Sequence, residues 1–139
     1  MQNINNFKLA VLIDDDEVTN YLNTLFFKKA SVFDHVVAFE NASDALSFLE
    51  DSIQNATSFP ELIMVDINMP CISGWQFLEE YLKIGEETRK NTMVVMLSIQ
   101  FCEDDIKMFE KYQDHIVLQE KPLSTAKIQN WAKRLYAAI

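Results

Sequence analysis

The chain has 139 residues, and its 21 acidic and 12 basic side chains give a net charge of −9 at neutral pH. A chain of this length fits one domain with its own hydrophobic core, which we expect to span residues 1–139 with a core from about residue 8. The negative charge repels nucleic-acid phosphates and anionic membranes, so neither is expected as a partner. No apolar run reaches the length of a membrane span, and the N-terminus lacks a signal-peptide pattern, so the sequence predicts a cytoplasmic protein.

The first half of the chain alternates between short apolar runs and segments with helical spacing. Residues 9–13 are the first predicted strand, and a predicted helix follows up to about Ala30. The apolar positions of this helix are Val18, Tyr21, Leu22, Leu25 and Phe26. Residues 35–39 are the second strand, and Asn41 or Ser43 can cap the next helix. The apolar positions of that second helix are Ala42, Ala45, Leu46, Leu49 and Ile53.

The second half continues the alternation with three more apolar runs, at residues 62–65, 93–97 and 116–118. After the first of these, a turn at residues 68–74 leads into a third helix. Its apolar positions are Phe77, Leu78, Tyr81 and Leu82. The polar residues 85–91 return the chain to the next strand.

The last two predicted helices differ in their apolar faces. The helix at residues 103–112 has only Ile106, Phe109 and Tyr112 set among charges, so we expect it to pack more loosely and to move most. The final helix has Ser124 as its cap. Its sheet-facing residues are Ile128, Trp131, Ala132, Leu135 and Ile139. Five strands alternating with five helices predict an α/β fold, a doubly wound parallel sheet of order 2-1-3-4-5.

The two cysteines, Cys71 and Cys102, are too few for a disulfide framework, and neither has a histidine or a second cysteine at metal-ligand spacing. We therefore expect both to be buried or half-buried free thiols. They contribute no candidate site.

Polar residues that suit phosphoryl transfer follow the predicted strands. They are Asp14, Asp15 and Asp16 after the first strand, Asp66 after the third, Ser98 after the fourth and Lys121 after the last. Ligands of open α/β sheets bind at the carboxyl ends of the strands. We therefore expect these carboxylates, the hydroxyl and the ammonium to meet at one edge of the sheet.

Four motifs occur in a fixed order along nearly the whole chain, from about Lys8 onward. They are Val11-Leu12-Ile13-Asp14-Asp15; Leu62-Ile63-Met64-Val65-Asp66-Ile67-Asn68-Met69-Pro70 with Gly74 close behind; Val94-Val95-Met96-Leu97-Ser98; and Lys121-Pro122. Together they resemble the receiver domain of two-component response regulators, in particular the chemotaxis-regulator-like members. The resemblance implies a flavodoxin-like fold.

The resemblance also implies a phosphoacceptor site. Asp66 would be the nucleophile that attacks the phosphorus of a phosphohistidine and becomes an aspartyl phosphate. Lys121 would neutralise charge on the phosphoryl oxygens. Ser98 would donate its hydroxyl to a phosphoryl oxygen after the modification and would move inward with its loop.

A magnesium ion is the cofactor that the resemblance implies, and Mg²⁺ prefers oxygen ligands. Asp15 and Asp66 would bind it directly, and Asp14 would act through a bound water. The main-chain carbonyl of Asn68, rather than its side chain, would complete the protein ligands.

Three positions depart from the common receiver pattern, and one of them, Ser73 where an aspartate commonly precedes the glycine, is interpreted as a tolerated change in the turn. Leu118 stands where an aromatic residue often couples to the hydroxyl residue, so an aromatic rotamer switch is not expected. Ile99 stands where a small residue often follows Ser98, and its bulk is predicted to shield the acyl phosphate from water.

The predicted function is that of a stand-alone response regulator with no effector domain, a signalling domain rather than a turnover enzyme. A histidine kinase or a histidine phosphotransfer protein would supply the phosphoryl group, docking near the first helix. An unidentified output protein would bind the region from the fourth helix to the last.

A different class was also considered, because Asp14 and Asp16 satisfy the Asp-x-Asp pattern of haloacid-dehalogenase-like phosphatases, with Ser98 and Lys121 as later motif residues. That family needs further acidic metal ligands after the lysine, and residues 122–139 contain no Asp or Glu. It also leaves Asp66 without a role. A degenerate receiver that acts as a static binding module would lack a site residue, and none is missing.

Overall fold

The computed structural model describes residues 6–138, and the statements below concern those residues. Five parallel strands form one sheet in the order β2-β1-β3-β4-β5. The strands are β1 Phe7–Ile13, β2 Phe33–Phe39, β3 Leu62–Asp66, β4 Met93–Ser98 and β5 Ile116–Glu120. The helices are α1 Glu17–Ala30, α2 Ala42–Gln54, α3 Gly74–Tyr81, α4 Glu86–Arg89, α5 Glu103–Tyr112 and α6 Thr125–Ala137. Among residues 6–138, none of the helices combines the length and the apolar composition that a transmembrane span requires.

The predicted fold class and strand order are confirmed, with a difference in one connection. Residues 85–91 were expected to be a polar return, and the structure forms the one-turn helix α4 within them. The strand β2 begins at Phe33 rather than at residue 35. The other five helices are the ones that the helical spacing predicts.

Two apolar layers cover the faces of the sheet. On one face, β-strand residues such as Val11 and Ile63 pack with Leu49 of α2 and Phe77 of α3. On the other face, the cluster contains Leu12 and Met64 of the sheet, Phe27 of α1, and Ile128 and Trp131 of α6. Because both faces are covered, the central strands are apolar at nearly every position, as parallel strands of this kind are.

Four of the five predicted apolar positions of α1 face outward, whereas the fifth, Phe26, is partly buried against the core. The exposed fractions are 63% for Val18, 64% for Tyr21, 49% for Leu22 and 44% for Leu25. The residues that α1 buries are Asn20, Asn23, Phe27 and Ala30. The Asn20 side chain is tied to backbone, since its Nδ2 donates to the carbonyl oxygens of Asp14 (2.8 Å) and Phe39 (3.2 Å), whereas its Oδ1 is buried without a hydrogen-bond partner among residues 6–138.

The expectation of buried or half-buried thiols is wrong, since Cys71 and Cys102 are free but both exposed. Cys71 lies in the turn between β3 and α3 with a positive φ of 66°, and Cys102 is the N-cap residue of α5. Both therefore lie in connections at the surface rather than on the apolar face of a helix or strand.

The last two long helices agree with the sequence. Asp105 is the buried residue of α5, Ile106 is 46% exposed, and Phe109 and Tyr112 are half-buried, so the apolar contact of α5 is small. Ser124 caps α6 by accepting the N–H of Lys127 at 3.2 Å. The buried residues of α6 are Ile128, Trp131, Ala132 and Leu135, and Ile139 lies outside the described residues.

Candidate functional site

Three carboxylates form a cluster at the carboxyl ends of β1 and β3. One oxygen from each of Asp14, Asp15 and Asp66 lies within 4.8 Å of the others. The strand register explains this, because Ile13 pairs with Val65 and the next residue of each strand is an aspartate. Asp14 and Asp66 are buried, at 4% and 5% exposure, whereas Asp15 is exposed. The cluster is therefore open to solvent on the side of Asp15.

The Lys121 ammonium lies against this cluster. Its Nζ is 3.1 Å from Asp14 Oδ2 and 3.4 Å from Asp66 Oδ1. Three hydrogen bonds position the segment that carries it. The Lys121 N–H donates to the Ser98 carbonyl at 2.9 Å, and Lys127 Nζ donates to the carbonyls of Glu120 (3.2 Å) and Pro122 (2.6 Å). A single cation thus contacts carboxylates from two different strands.

The pKa values of Asp66 and Lys121 are shifted by burial and by the neighbouring charges. Burial, the largest cause, and the neighbouring Asp14 charge raise the pKa of Asp66, while the Lys121 ammonium opposes the rise. Burial alone would lower the pKa of Lys121, but the charges of Asp14 and Asp66 outweigh it and raise that pKa. Lys121 therefore remains an ammonium ion throughout the physiological pH range.

Ser98 is almost fully buried beside the same strand ends. Its hydroxyl donates to the Gln100 carbonyl at 2.9 Å and accepts from the Gln100 N–H at 3.3 Å. It also accepts from Asn68 Nδ2 at 3.2 Å, so the Asn68 side chain is engaged with Ser98. The hydroxyl thus joins the turn after β3 to the turn after β4.

Asp16 is absent from the cluster. Its side chain is the N-cap of α1, where it accepts from the Val18 N–H at 3.3 Å and from the Thr19 hydroxyl at 2.6 Å. The bond from Thr19 is the largest cause of its lowered pKa. Because the Asp16 side chain caps α1, the structure gives no support to the phosphatase hypothesis, in which Asp16 would act in catalysis.

Gly74 packs directly against the backbone of Asp66. A Cβ at this position would lie 2.7 Å from the Asp66 carbonyl oxygen and 2.8 Å from Ile67 Cα. The Gly74 N–H donates to the Ile67 carbonyl at 2.9 Å. The sequence suggested only a turn former, whereas the structure shows that a side chain here would displace the strand end that carries Asp66.

Sequence reasoning missed two polar contacts near the site. Asn20 ties α1 to the Asp14 carbonyl, and Asp105 of α5 accepts a hydrogen bond from Trp75 Nε1 at 2.9 Å. Helical periodicity counts Asn and Asp as solvent-facing, so it carried no signal for either.

An apolar surface adjoins the acidic cluster. We define the α1 patch as Val18, Tyr21, Leu22 and Leu25 together with Ile99, which is 76% exposed. A cleft of about 390 Å³ borders this patch at Leu22 and Ile99, and its lining also includes Phe26, Lys121, Pro122 and Leu123. A larger cleft of about 450 Å³, which contains His115 and Arg134, lies at the opposite end of the sheet and includes none of the site residues.

Known proteins share this architecture. A sequence model of the family described as response regulator receiver domain matches residues 10–132. A two-component response regulator from Cytophaga hutchinsonii is 23% identical with a TM-score of 0.85, over 96% of this chain and 99% of that one. A response regulator receiver protein from Dyadobacter fermentans is 23% identical with a TM-score of 0.77, over 93% of this chain and 98% of that one. The Vibrio cholerae chemotaxis protein CheY4 is 16% identical with a TM-score of 0.74, over 93% and 98%. At these identities the structural likeness establishes the fold alone.

Proposed function

Because the chain belongs to the response regulator receiver domain family, we propose that it accepts a phosphoryl group from a phosphohistidine onto Asp66 and signals through phosphorylation-dependent protein contact. The observation that carries the proposal is the position of the Lys121 ammonium, 3.1 Å from Asp14 and 3.4 Å from Asp66, at the strand edge where Ser98 also lies. A nucleophilic carboxylate, a cation and a hydroxyl donor are the groups that phosphoryl transfer to an aspartate needs.

In the proposed step, a carboxylate oxygen of Asp66 attacks phosphorus while the bond from phosphorus to the imidazole nitrogen breaks. The bonding electrons leave with the donor histidine, and the product is an acyl phosphate on Asp66. Negative charge spreads over the phosphoryl oxygens in such a transition state. Lys121, already held beside Asp66, stabilises that charge without reorganisation.

The three carboxylates fit a magnesium site, since Mg²⁺ takes oxygen ligands and retains waters. A bound Mg²⁺ supplies further charge neutralisation to the phosphoryl oxygens. Both oxygens of Asp14 already have partners, the Asp16 N–H (2.9 Å) and Lys121 Nζ, which supports a role through water. We therefore propose direct ligation by Asp15 and Asp66, and the resemblance to receiver domains adds the main-chain carbonyl of Asn68.

We propose that the phosphodonor, a histidine kinase or a histidine phosphotransfer protein, docks on the α1 patch. Exposed apolar side chains grouped at one place mark protein contact sites. The cleft that borders this patch reaches Lys121, so a partner seated there would hold its phosphohistidine close to Asp66. Output would use the region from α5 to α6, where α5 buries little apolar surface and can be displaced.

The phosphoacceptor assignment is tested by mass spectrometry after incubation with phosphoramidate and Mg²⁺. We expect one hydroxylamine-labile phosphoryl group on the wild type and none on Asp66→Asn. The exposed Asp51→Asn on α2 removes a carboxylate of the same type as a matched control, and it is expected to behave as the wild type. Phosphorylation of Asp66→Asn to the same extent would disprove the assignment.

The docking proposal is tested by comparing a protein donor with a small one. We expect Leu22→Ser to slow transfer from a phosphotransfer protein at least tenfold and to leave transfer from phosphoramidate unchanged. Ile53→Ser, on α2 and 43% exposed, is the matched control and is expected to change neither rate. Equal slowing with both donors would point to damage at the site itself rather than to docking.

A further inference from the structure

The loop between β4 and α5, residues 99–102, is held at its first end by Ser98. The Ser98 hydroxyl has one proton, and it is donated to the Gln100 carbonyl at 2.9 Å. To donate to a phosphoryl oxygen on Asp66, the hydroxyl must release that carbonyl. Under the proposed function, phosphorylation of Asp66 therefore frees the Ser98 end of this loop.

The second end of the loop is held by Asp105. This carboxylate is 6% exposed, and it accepts from the Cys102 N–H at 3.0 Å and from the Cys102 thiol at 3.3 Å. Its other oxygen accepts from Trp75 Nε1 at 2.9 Å. Burial by itself would raise the pKa of Asp105, but these hydrogen bonds together lower it, so the acceptor is ionised at neutral pH. Hydrogen bonds to an ionised acceptor are stronger than neutral ones.

Trp75 belongs to the rigid surroundings of Asp66. It is 8% exposed and follows Gly74, whose Cα packs against the Asp66 backbone. The start of α3 is also fixed by a capping box, in which Ser73 and Gln76 each accept the other's backbone N–H. A hydrogen bond from Trp75 to α5 thus joins α5 to α3, whose first residue lies against the backbone of Asp66.

We propose that the Trp75–Asp105 hydrogen bond restrains α5 in the observed arrangement, so that it opposes the displacement that follows release of the Ser98 end of the loop. The inference rests on the proposed function and adds to it two positioning residues for the switch. Leu118 supplies no aromatic side chain for this purpose, whereas the Trp75–Asp105 bond connects α5 to α3, which begins against the backbone of Asp66.

The test is a titration with beryllofluoride and Mg²⁺, followed by amide NMR of the full chain. If α5 must leave Trp75, then Trp75→Phe removes a contact made only in the observed arrangement. We expect it to bind beryllofluoride about fivefold more tightly, which corresponds to about 1 kcal/mol. We also expect the amide shifts within α5 to be larger at saturation.

Two further variants distinguish the loss of the Trp75–Asp105 hydrogen bond from a general disturbance of the structure. Tyr112→Phe removes the matched bond between the same two helices at their far, exposed end, where the Tyr112 hydroxyl donates to Glu79 at 3.2 Å, and we expect no change in affinity. Asp105→Ala removes the acceptor of the Trp75 hydrogen bond, and we expect it to raise the affinity for beryllofluoride as Trp75→Phe does. The double variant is expected to gain no more than either single variant, as two residues of one bond do in a double-mutant cycle.

The outcomes distinguish the inference from the function on which it rests. If the wild type does not bind beryllofluoride at Asp66, the proposed function fails and this inference fails with it. If the wild type binds and both Trp75→Phe and Asp105→Ala bind with unchanged or weaker affinity, only the restraint is overturned. Tighter binding in both variants, with Tyr112→Phe unchanged, supports it.

Discussion

The Lys121 ammonium lies 3.1 Å from Oδ2 of Asp14, although 107 residues separate the two along the chain. Asp14 follows β1 and Lys121 follows β5, and the two meet because both strands end at the same edge of the sheet. The same ammonium is 3.4 Å from Asp66, so it offsets the repulsion between two buried carboxylates. Without the Lys121 ammonium, the repulsion between the Asp14 and Asp66 carboxylates would therefore destabilise the folded protein.

Replacing Lys121 by Met is expected to destabilise the protein and to slow phosphorylation. Removal of one partner of a fully buried ion pair costs about 3–5 kcal/mol, and we expect about 2 kcal/mol because the Lys121 side chain is 23% exposed. Urea unfolding and phosphoramidate labelling measure the two effects. Lys83→Met, which removes an exposed pair with Glu80, is the control and is expected to leave the free energy of unfolding almost unchanged. Equal losses in both variants would contradict the role given to Lys121.

Magnesium is expected to raise the melting temperature, because a ligand that binds only the folded state stabilises it, by about 2.7 kcal/mol at a hundredfold excess over Kd. We expect Asp15→Asn to lose most of this increase, because it lacks one of the proposed metal-binding carboxylates. In EDTA the variant is expected to be as stable as the wild type, since removing one of three neighbouring negative charges lowers their repulsion. Asp104→Asn on α5 controls for the loss of an exposed carboxylate and is expected to keep the full response. Thermal unfolding with Mg²⁺ and with EDTA gives the comparison, and an undiminished response in Asp15→Asn would remove Asp15 from the ligand set.

The lifetime of the acyl phosphate is expected to depend on Ile99. This side chain follows Ser98 and lines the cleft that reaches Lys121, so it stands where solvent approaches the strand edge. We expect Ile99→Ala to lose phosphate about tenfold faster, which corresponds to about 1.4 kcal/mol of barrier. Phosphate release from purified phosphoprotein with Mg²⁺ is the measurement. Ile106→Ala, an exposed isoleucine on α5, is the matched control, and unchanged decay in Ile99→Ala would refute shielding.

Asp105 is expected to give a stability contribution that disappears in acid. Its pKa in the folded protein lies below the ordinary value, because the hydrogen bonds from Trp75 and Cys102 outweigh the effect of burial. A carboxylate with a depressed pKa stabilises the fold fully above its unfolded-state pKa of about 3.9, and this contribution is lost as pH falls through the folded-state value. The difference in free energy of unfolding between the wild type and Asp105→Asn is therefore expected to be largest near neutral pH and to shrink below about pH 4.

Urea titrations at several pH values from neutral to about pH 3 test this dependence. Asp104→Asn removes one negative charge from the same helical turn and is expected to lack the large difference at neutral pH. If the difference in free energy of unfolding between the wild type and Asp105→Asn grows as the pH falls, the predicted direction of the pH dependence is wrong.

The strands and the edge at which the site lies followed from the sequence alone. Parallel strands covered on both faces are apolar at successive positions, so runs such as residues 62–65 are visible without any tertiary information. Right-handed crossovers then leave few ways to arrange five such strands, and all of them bring the carboxyl ends together. Asp14, Asp66 and Ser98 meet for that reason.

Tertiary structure decided which side of α1 is buried and which polar groups join the elements. Helical periodicity marks an apolar stripe but does not say whether the sheet or a partner covers it, and in α1 the stripe of Val18, Tyr21, Leu22 and Leu25 faces outward. The buried face instead includes Asn20, whose Nδ2 donates to two backbone carbonyls while its Oδ1 has no partner among the described residues. The contact of Trp75 with Asp105 likewise depends on the placement of α3 beside α5. No local pattern encodes it, because the two residues are 30 positions apart and their bond forms only after both helices pack on the sheet.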